Sequence, residues 1–248
     1  MQGSAQRRER LVLIGLLALL TGLAWVAMAR MAGEVPADGR LRPCCTSFGL
    51  IFWMWVVMMA GMMIPSVTPM VLTHAAITRR RVAAGGRHVS SVVFLVGYLA
   101  AWSGFSLLAA LAQWGLHRSS MLDPETLRVR PLVGSLVLVC AGVFQLSSVK
   151  HTCLSGCRAP LGYFLTEWRE GRGGAFVMGL RHGWLCIGCC WLVMAILFGA
   201  GVMSLWWGAA ITAFVIAEKL LPWRRLVVWS GAVLCFLGAA ILIAQAVT

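Results

Sequence analysis

Phe52-Trp-Met-Trp-Val-Val-Met-Met-Ala-Gly-Met-Met-Ile-Pro65 lies inside an uncharged run that extends from residue 48 to 68. About 20 apolar residues in a helix match the hydrocarbon thickness of a bilayer, so the run reads as a membrane-crossing helix. Comparable runs recur at 11–29, 92–113, 132–149, 175–200, 203–218 and 226–246, in a chain whose mean hydropathy is +0.85. The expected fold is therefore all-α, a polytopic transmembrane bundle of about seven spans. Helices are expected because lipid offers the backbone no alternative partners. Six spans plus a re-entrant segment is the variant, since the fourth run is short and Arg181 and His182 interrupt the fifth. The chain divides into an N-terminal transmembrane helix at 1–30, an external linker at 31–47 and a helical domain at 48–248. Ala27-Met28-Ala29 resembles a signal-peptide cleavage site, but the apolar stretch before it is longer than usual, so an uncleaved span is expected.

A net charge of +13 invites a nucleic-acid reading, yet the basic residues sit in the connections between spans. With the N-terminus inside, one side carries Arg7, Arg8, Arg10, Arg79, Arg80, Arg81, Arg87, Lys150, Arg158, Arg169, Arg172, Lys219, Arg224 and Arg225, which is 14. The other carries Arg30, Arg40, Arg42, Arg118, Arg128 and Arg130, which is 6. This bias orients the chain, with a cytoplasmic N-terminus and an external C-terminus. The expected location is a bacterial inner membrane and the expected partners are the lipid bilayer and a membrane or periplasmic protein, not nucleic acid.

Nine cysteines are present, and five of them fall in two groups. Cys186-Ile-Gly-Cys189-Cys190 opens the fifth apolar run, and spacings of three and four put its thiols near one helix face. His182 and Met194 extend the series by one step each, drifting about 40° per step. His151-Thr-Cys153-Leu-Ser-Gly-Cys157 follows the fourth run, where it is expected as a loop. Cys140 and Cys235 lie singly in apolar runs and read as small core residues. Cys44 and Cys45 belong to the external linker.

In the 48–68 run, Met54, Met58 and Met62 are spaced by four, as are Met59 and Met63, with Met70 and His74 beyond. Methionine fills irregular core space, but its thioether also favours Cu(I). Pro65 and Pro69 are expected to break or kink this helix. Counting span directions brings Met62, Met63, Met70, His74, His151, both cysteine groups and Glu218 to one side of the membrane. Thiolate is the ligand form of cysteine, and Lys150, Arg158, Arg181 or protonated His182 could favour it there. The expected ligands are Cys153, Cys157, Cys186, Cys189, Cys190, Met58, Met62, Met63 and His182. His151, Glu218, Lys219, Met70 and His74 are expected to support them. Glu218-Lys219 also reads as an interfacial pair at a helix end.

Trp55-x2-Met58-x-Ala60-x-Met62-Met63-x-Pro65, Lys150-x2-Cys153-Leu-x2-Cys157-Arg158-x-Pro160 and Gly183-x2-Cys186-x-Gly188-Cys189-Cys190-Trp191-x2-Met194 together resemble a bacterial family. It is a domain-of-unknown-function family of predicted metal-binding integral membrane proteins. Trp168-Arg169-x-Gly171 and Glu218-Lys219 are similar to its pattern too. The resemblance implies a multi-pass helical fold and a metal, copper in particular, and implies no reaction.

The ligand chemistry points to copper(I), with zinc as the alternative. Copper delivery or transport is the first functional reading. A membrane thiol–disulfide oxidoreductase is the second, since Cys186 and Cys189 also form a Cys-x-x-Cys pair. A subunit or assembly factor of a membrane oxidase or oxygenase complex is the third, and catalysis stays open.

Overall fold

A computed structural model describes residues 2–33, 47–87, 89–123, 127–221 and 224–247. Cys44, Cys45 and most of the linker lie outside the described residues. Nine helices are described: α1 (Gln2–Gly33), α2 (Phe48–Ala83), α3 (Ser91–Arg118), α4 (Pro131–Gln145), α5 (Ser148–Arg158), α6 (Pro160–Glu167), α7 (Gly171–Ala200), α8 (Leu205–Leu220) and α9 (Arg224–Val247). The fold is an all-α bundle. Each of the seven apolar runs is helical, but five helices (α1, α2, α3, α7 and α9) are long and apolar enough to cross a membrane. α4 and α5 would make a sixth span as one bent pair, meeting at 67°. α8 has 16 residues, about 24 Å of helix against a hydrocarbon core of about 30 Å. The seven-span expectation thus reduces to five or six by length, a composition compatible with a membrane protein.

α2, α3 and α7 form the centre. α1 lies against α2, α4 and α9 pack as a pair on the flank of α7, and α8 touches α2 and α7. Close approach between α3 and α7 depends on glycine. A Cβ on Gly179 would stand 1.9 Å from the Phe94 carbonyl oxygen, and one on Gly97 would stand 2.1 Å from that of Phe176. Small residues let helix backbones meet in this way. The contact has a consequence for the chemistry, because Tyr98 follows Gly97 and Cys186 lies seven residues after Gly179 on the same face.

Pro65 and Pro69 do not end α2, which continues to Ala83. Pro65 has no N–H for the Gly61 carbonyl one turn earlier. The indole N–H of Trp25 on α1 donates to that oxygen instead, at 3.3 Å. The Thr68 and Thr73 hydroxyls cap the Ile64 and Pro69 carbonyls at 3.1 and 2.8 Å. The prolines thus do not break the helix, and at Pro65 the freed carbonyl takes its hydrogen bond from α1.

The segment expected as a loop after α4 is also helical. Ser147 joins the two helices, its hydroxyl donating to the Phe144 carbonyl at 2.7 Å and accepting from the Lys150 amide at 3.2 Å. A serine N-cap of this kind starts a helix. α5 then buries Lys150, Leu154 and Cys157 on one face and packs on α7. Pro160 opens α6 in the first-turn position that proline favours.

Candidate metal centre

Cys186 is fully buried where α2, α3, α7 and α8 meet. Its sulfur stands 3.1 Å from the Tyr98 hydroxyl and 3.0 Å from the ammonium of Lys219. Lys219 also donates to Ser66 Oγ at 2.9 Å, and Ser66 donates to the Met63 carbonyl at 2.9 Å. Cys157 is buried on α5, which packs on α7. Cys189 and Cys190 both donate to the Cys186 carbonyl, at 3.0 and 2.9 Å. Cys153 lies at the edge of this group, its sulfur 2.9 Å from the place a Cβ on Gly188 would occupy. Gly188 therefore admits the Cys153 thiol to the α7 surface. The seven described cysteines are free thiols.

Cys189 and Cys190 thus stand on the same turn of α7 as Cys186, and α5 brings Cys153 and Cys157 to this helix. Met58, Met62 and Met63 are buried on α2, and Met70 continues the series. Met63 reaches the group through its carbonyl and through a 3.9 Å contact of its sulfur with Ser66 Oγ. His182 lies one turn before Cys186 and stacks on Tyr98 at 5.8 Å between ring centroids. His74 is buried further along α2, bonded through Nδ1 to Ser91 Oγ at 2.9 Å. Its ring stacks between Phe94 at 5.4 Å and Trp168 at 5.5 Å. Phe94 stacks in turn on His182 at 6.1 Å, so an aromatic column joins the two histidines. Tyr163 packs edge-on to His182 and donates to the Met178 carbonyl at 2.7 Å. Burial, with the Glu167 carboxylate adding to it, pushes the Tyr163 phenol above its ordinary range, so it stays a neutral donor. His151 is only half-buried on α5.

The cations expected beside the thiols are engaged elsewhere. Lys150 is fully buried and pairs with the Glu218 carboxylate at 2.8 Å, and Gln145 donates to the same carboxylate at 2.9 Å. Arg158 donates to the Glu218 and Leu221 carbonyls at 2.8 and 3.1 Å. Arg181 pairs with Glu167 at a partly exposed site. Lys219 takes the position beside Cys186 instead. Glu218 and Lys219 do not pair with each other: both are buried, and they bond to partners on different helices. Tyr98, Ser66 and Gln145 were not singled out from the sequence. Their signal was polarity, since each is a hydrogen-bonding side chain inside an apolar run, where such groups need partners.

Among the described residues, no group of three or more His, Cys, Asp or Glu side chains is arranged to hold a metal ion. The geometry gives the reason. Two thiols are turned back onto their own helix, and the Cys186 sulfur faces an ammonium. The four-ligand shell of a structural zinc site is not formed.

A family model described as PpoB2, copper chaperone, matches residues 52–242, more than three quarters of the chain. The chain belongs to this family. The match covers α2 to α9 almost entirely, including every thiol around Cys186. Comparison with curated proteins and with solved structures returned no match. Family membership supports copper handling and agrees with the metal-related family read from the motifs.

Proposed function

We propose that this chain is an integral protein of the bacterial cytoplasmic membrane that takes up Cu(I) as cargo for delivery or transport. The observation that carries the reading is the buried Cys186 sulfur held by the Lys219 ammonium, with the Cys189 and Cys190 thiols on the same turn of α7. A buried ammonium needs a counter-charge. Among the described residues its hydrogen-bond acceptors are Ser66 and Cys186, so a Cys186 thiolate supplies that charge. Cu(I) bound by two thiolates carries a net charge of −1, which Lys219 cancels inside an apolar bundle. Thiolate and thioether together suit this ion. Cys186 with Cys157, Cys189 or Cys190 is the ligand core, and Met63, whose sulfur touches the Ser66 hydroxyl that Lys219 holds, is the thioether tied to it. The buried methionines of α2 supply soft groups along the approach to it. The charge bias supports a cytoplasmic N-terminus.

Full-length protein is extracted from carbonate-washed membranes, loaded with Cu(I) and titrated with a chromogenic Cu(I) chelator. Cys186→Ser weakens binding at least tenfold, while Cys235→Ser, on the distant α9, leaves it unchanged. Unaltered affinity in Cys186→Ser overturns the proposal. The packing of α5, which carries Cys157, on α7 also supports a second reading, a redox pair. A Cys157–Cys186 disulfide that turns over with a quinone, in protein that retains no copper, would put that reading first.

A further inference from the structure

A cavity of about 1260 Å³ opens between α4, α7, α8 and α9, and no cysteine lines it. α8 and α9 flank it without packing on one another. Its polar side chains are segregated. His117, Asp123, Arg128 and Arg130 stand together at the end formed by the α3–α4 connection. The shaft is apolar, formed by residues such as Leu138, Val193, Ile211 and Leu234, and it ends at Phe214 and Ser230. Along α9 the cavity extends from Ile241 to Ser230. Those eleven steps of helix are about 16 Å. Half of a hydrocarbon core of about 30 Å is one leaflet.

A mouth with two arginines against one carboxylate, Asp123, is net positive, and above an apolar shaft one leaflet deep it matches a molecule with an anionic head and acyl tails. Basic pockets between membrane helices hold anionic headgroups in this way. We infer that this cavity binds an anionic phospholipid of the leaflet next to the α3–α4 connection, its phosphate at Arg128 and Arg130 and its tails between α8 and α9. The inference rests on the membrane placement proposed above and does not depend on copper. The site is built by helix ends as well as by charge. Arg128 donates through Nε to the Ala200 carbonyl at 3.1 Å, fixing the mouth to the end of α7. Val129 donates its amide to the Phe198 carbonyl at 2.9 Å, which holds the connection across that end.

Protein recovered from carbonate-washed membranes is presented with equal amounts of phosphatidylglycerol and phosphatidylcholine of identical acyl chains, and retained lipid is counted by native mass spectrometry. Wild type retains phosphatidylglycerol at least tenfold over phosphatidylcholine. Arg130→Gln lowers that preference at least threefold, and Arg128→Gln with Arg130→Gln brings it to parity. Ala210→Trp, which fills the shaft from an open position, reduces retention of both lipids, with folding checked by helical circular dichroism. Cys186→Ser keeps the full preference. Parity in wild type, an unchanged preference in the double arginine variant, or full retention in Ala210→Trp overturns the inference. Failure to recover the chain in washed membranes overturns the membrane reading itself, a separate outcome.

Discussion

Two lysines are buried in this bundle, and they are neutralised differently. Lys150 meets the Glu218 carboxylate, braced by Gln145, at the junction of α4, α5 and α8. Lys219, the next residue after Glu218, turns to the other side of α8 and meets the Cys186 sulfur and Ser66. The first pairing is closed in charge: the ammonium and the carboxylate neutralise one another, and the Gln145 amide donates to the carboxylate. The second is open to exchange, because sulfur is a ligand that a soft cation can take from an ammonium. One lysine holds the fold together. The other holds a buried sulfur.

The largest effect should come from the closed pair. Glu218→Gln leaves the Lys150 ammonium buried without a counter-charge, at a cost of about 3–5 kcal/mol. Thermal unfolding in detergent should show this as a large drop in midpoint. Next comes Gly179→Ala, whose added methyl overlaps the Phe94 carbonyl on α3. Overpacking of this kind costs about 1–3 kcal/mol. Because it moves Tyr98 away from Cys186, Cu(I) affinity should fall with stability. The smallest stability effect is expected of Lys219→Met. It leaves a thiol that is neutral near pH 7 at little cost, since an ordinary cysteine ionises only at about 8.5, so the loss should be about 1 kcal/mol or less. Copper affinity should nevertheless change, since the bis-thiolate site loses its balancing charge. If Lys219→Met destabilises as much as Glu218→Gln, the two lysines are equivalent structural ions and the contrast collapses.

Much of the site was legible in the residues, and the parts that were not share one cause. Helical spacing placed Cys186, Cys189 and Cys190 on one face, and span direction brought Cys157 to the same end. Neither could say that Cys189 and Cys190 turn back to the Cys186 carbonyl, because that depends on side-chain rotamers in a packed interior. The cation beside the thiols was sought in Lys150, Arg158 and Arg181, the basic residues nearest in sequence. Lys219 holds the position because α8 packs against α2 and α7. Tyr98 lies 88 positions from Cys186, and glycine packing between α3 and α7 brings them together. The helix through Pro65 was also unreadable locally, since the compensating donor, Trp25, comes from another helix.

By itself the sequence determined an apolar helical chain, its charge bias, and the clustering of thiols and thioethers that suits a soft metal. Those properties follow from periodicity and composition, which act along one helix at a time. Tertiary structure alone decided which ammonium meets which anion, where α4 and α5 bend, and that a cavity with a basic mouth opens beside α9. Contacts of that kind depend on how far apart two backbones stand and which way a side chain turns, and both are set only when helices pack together.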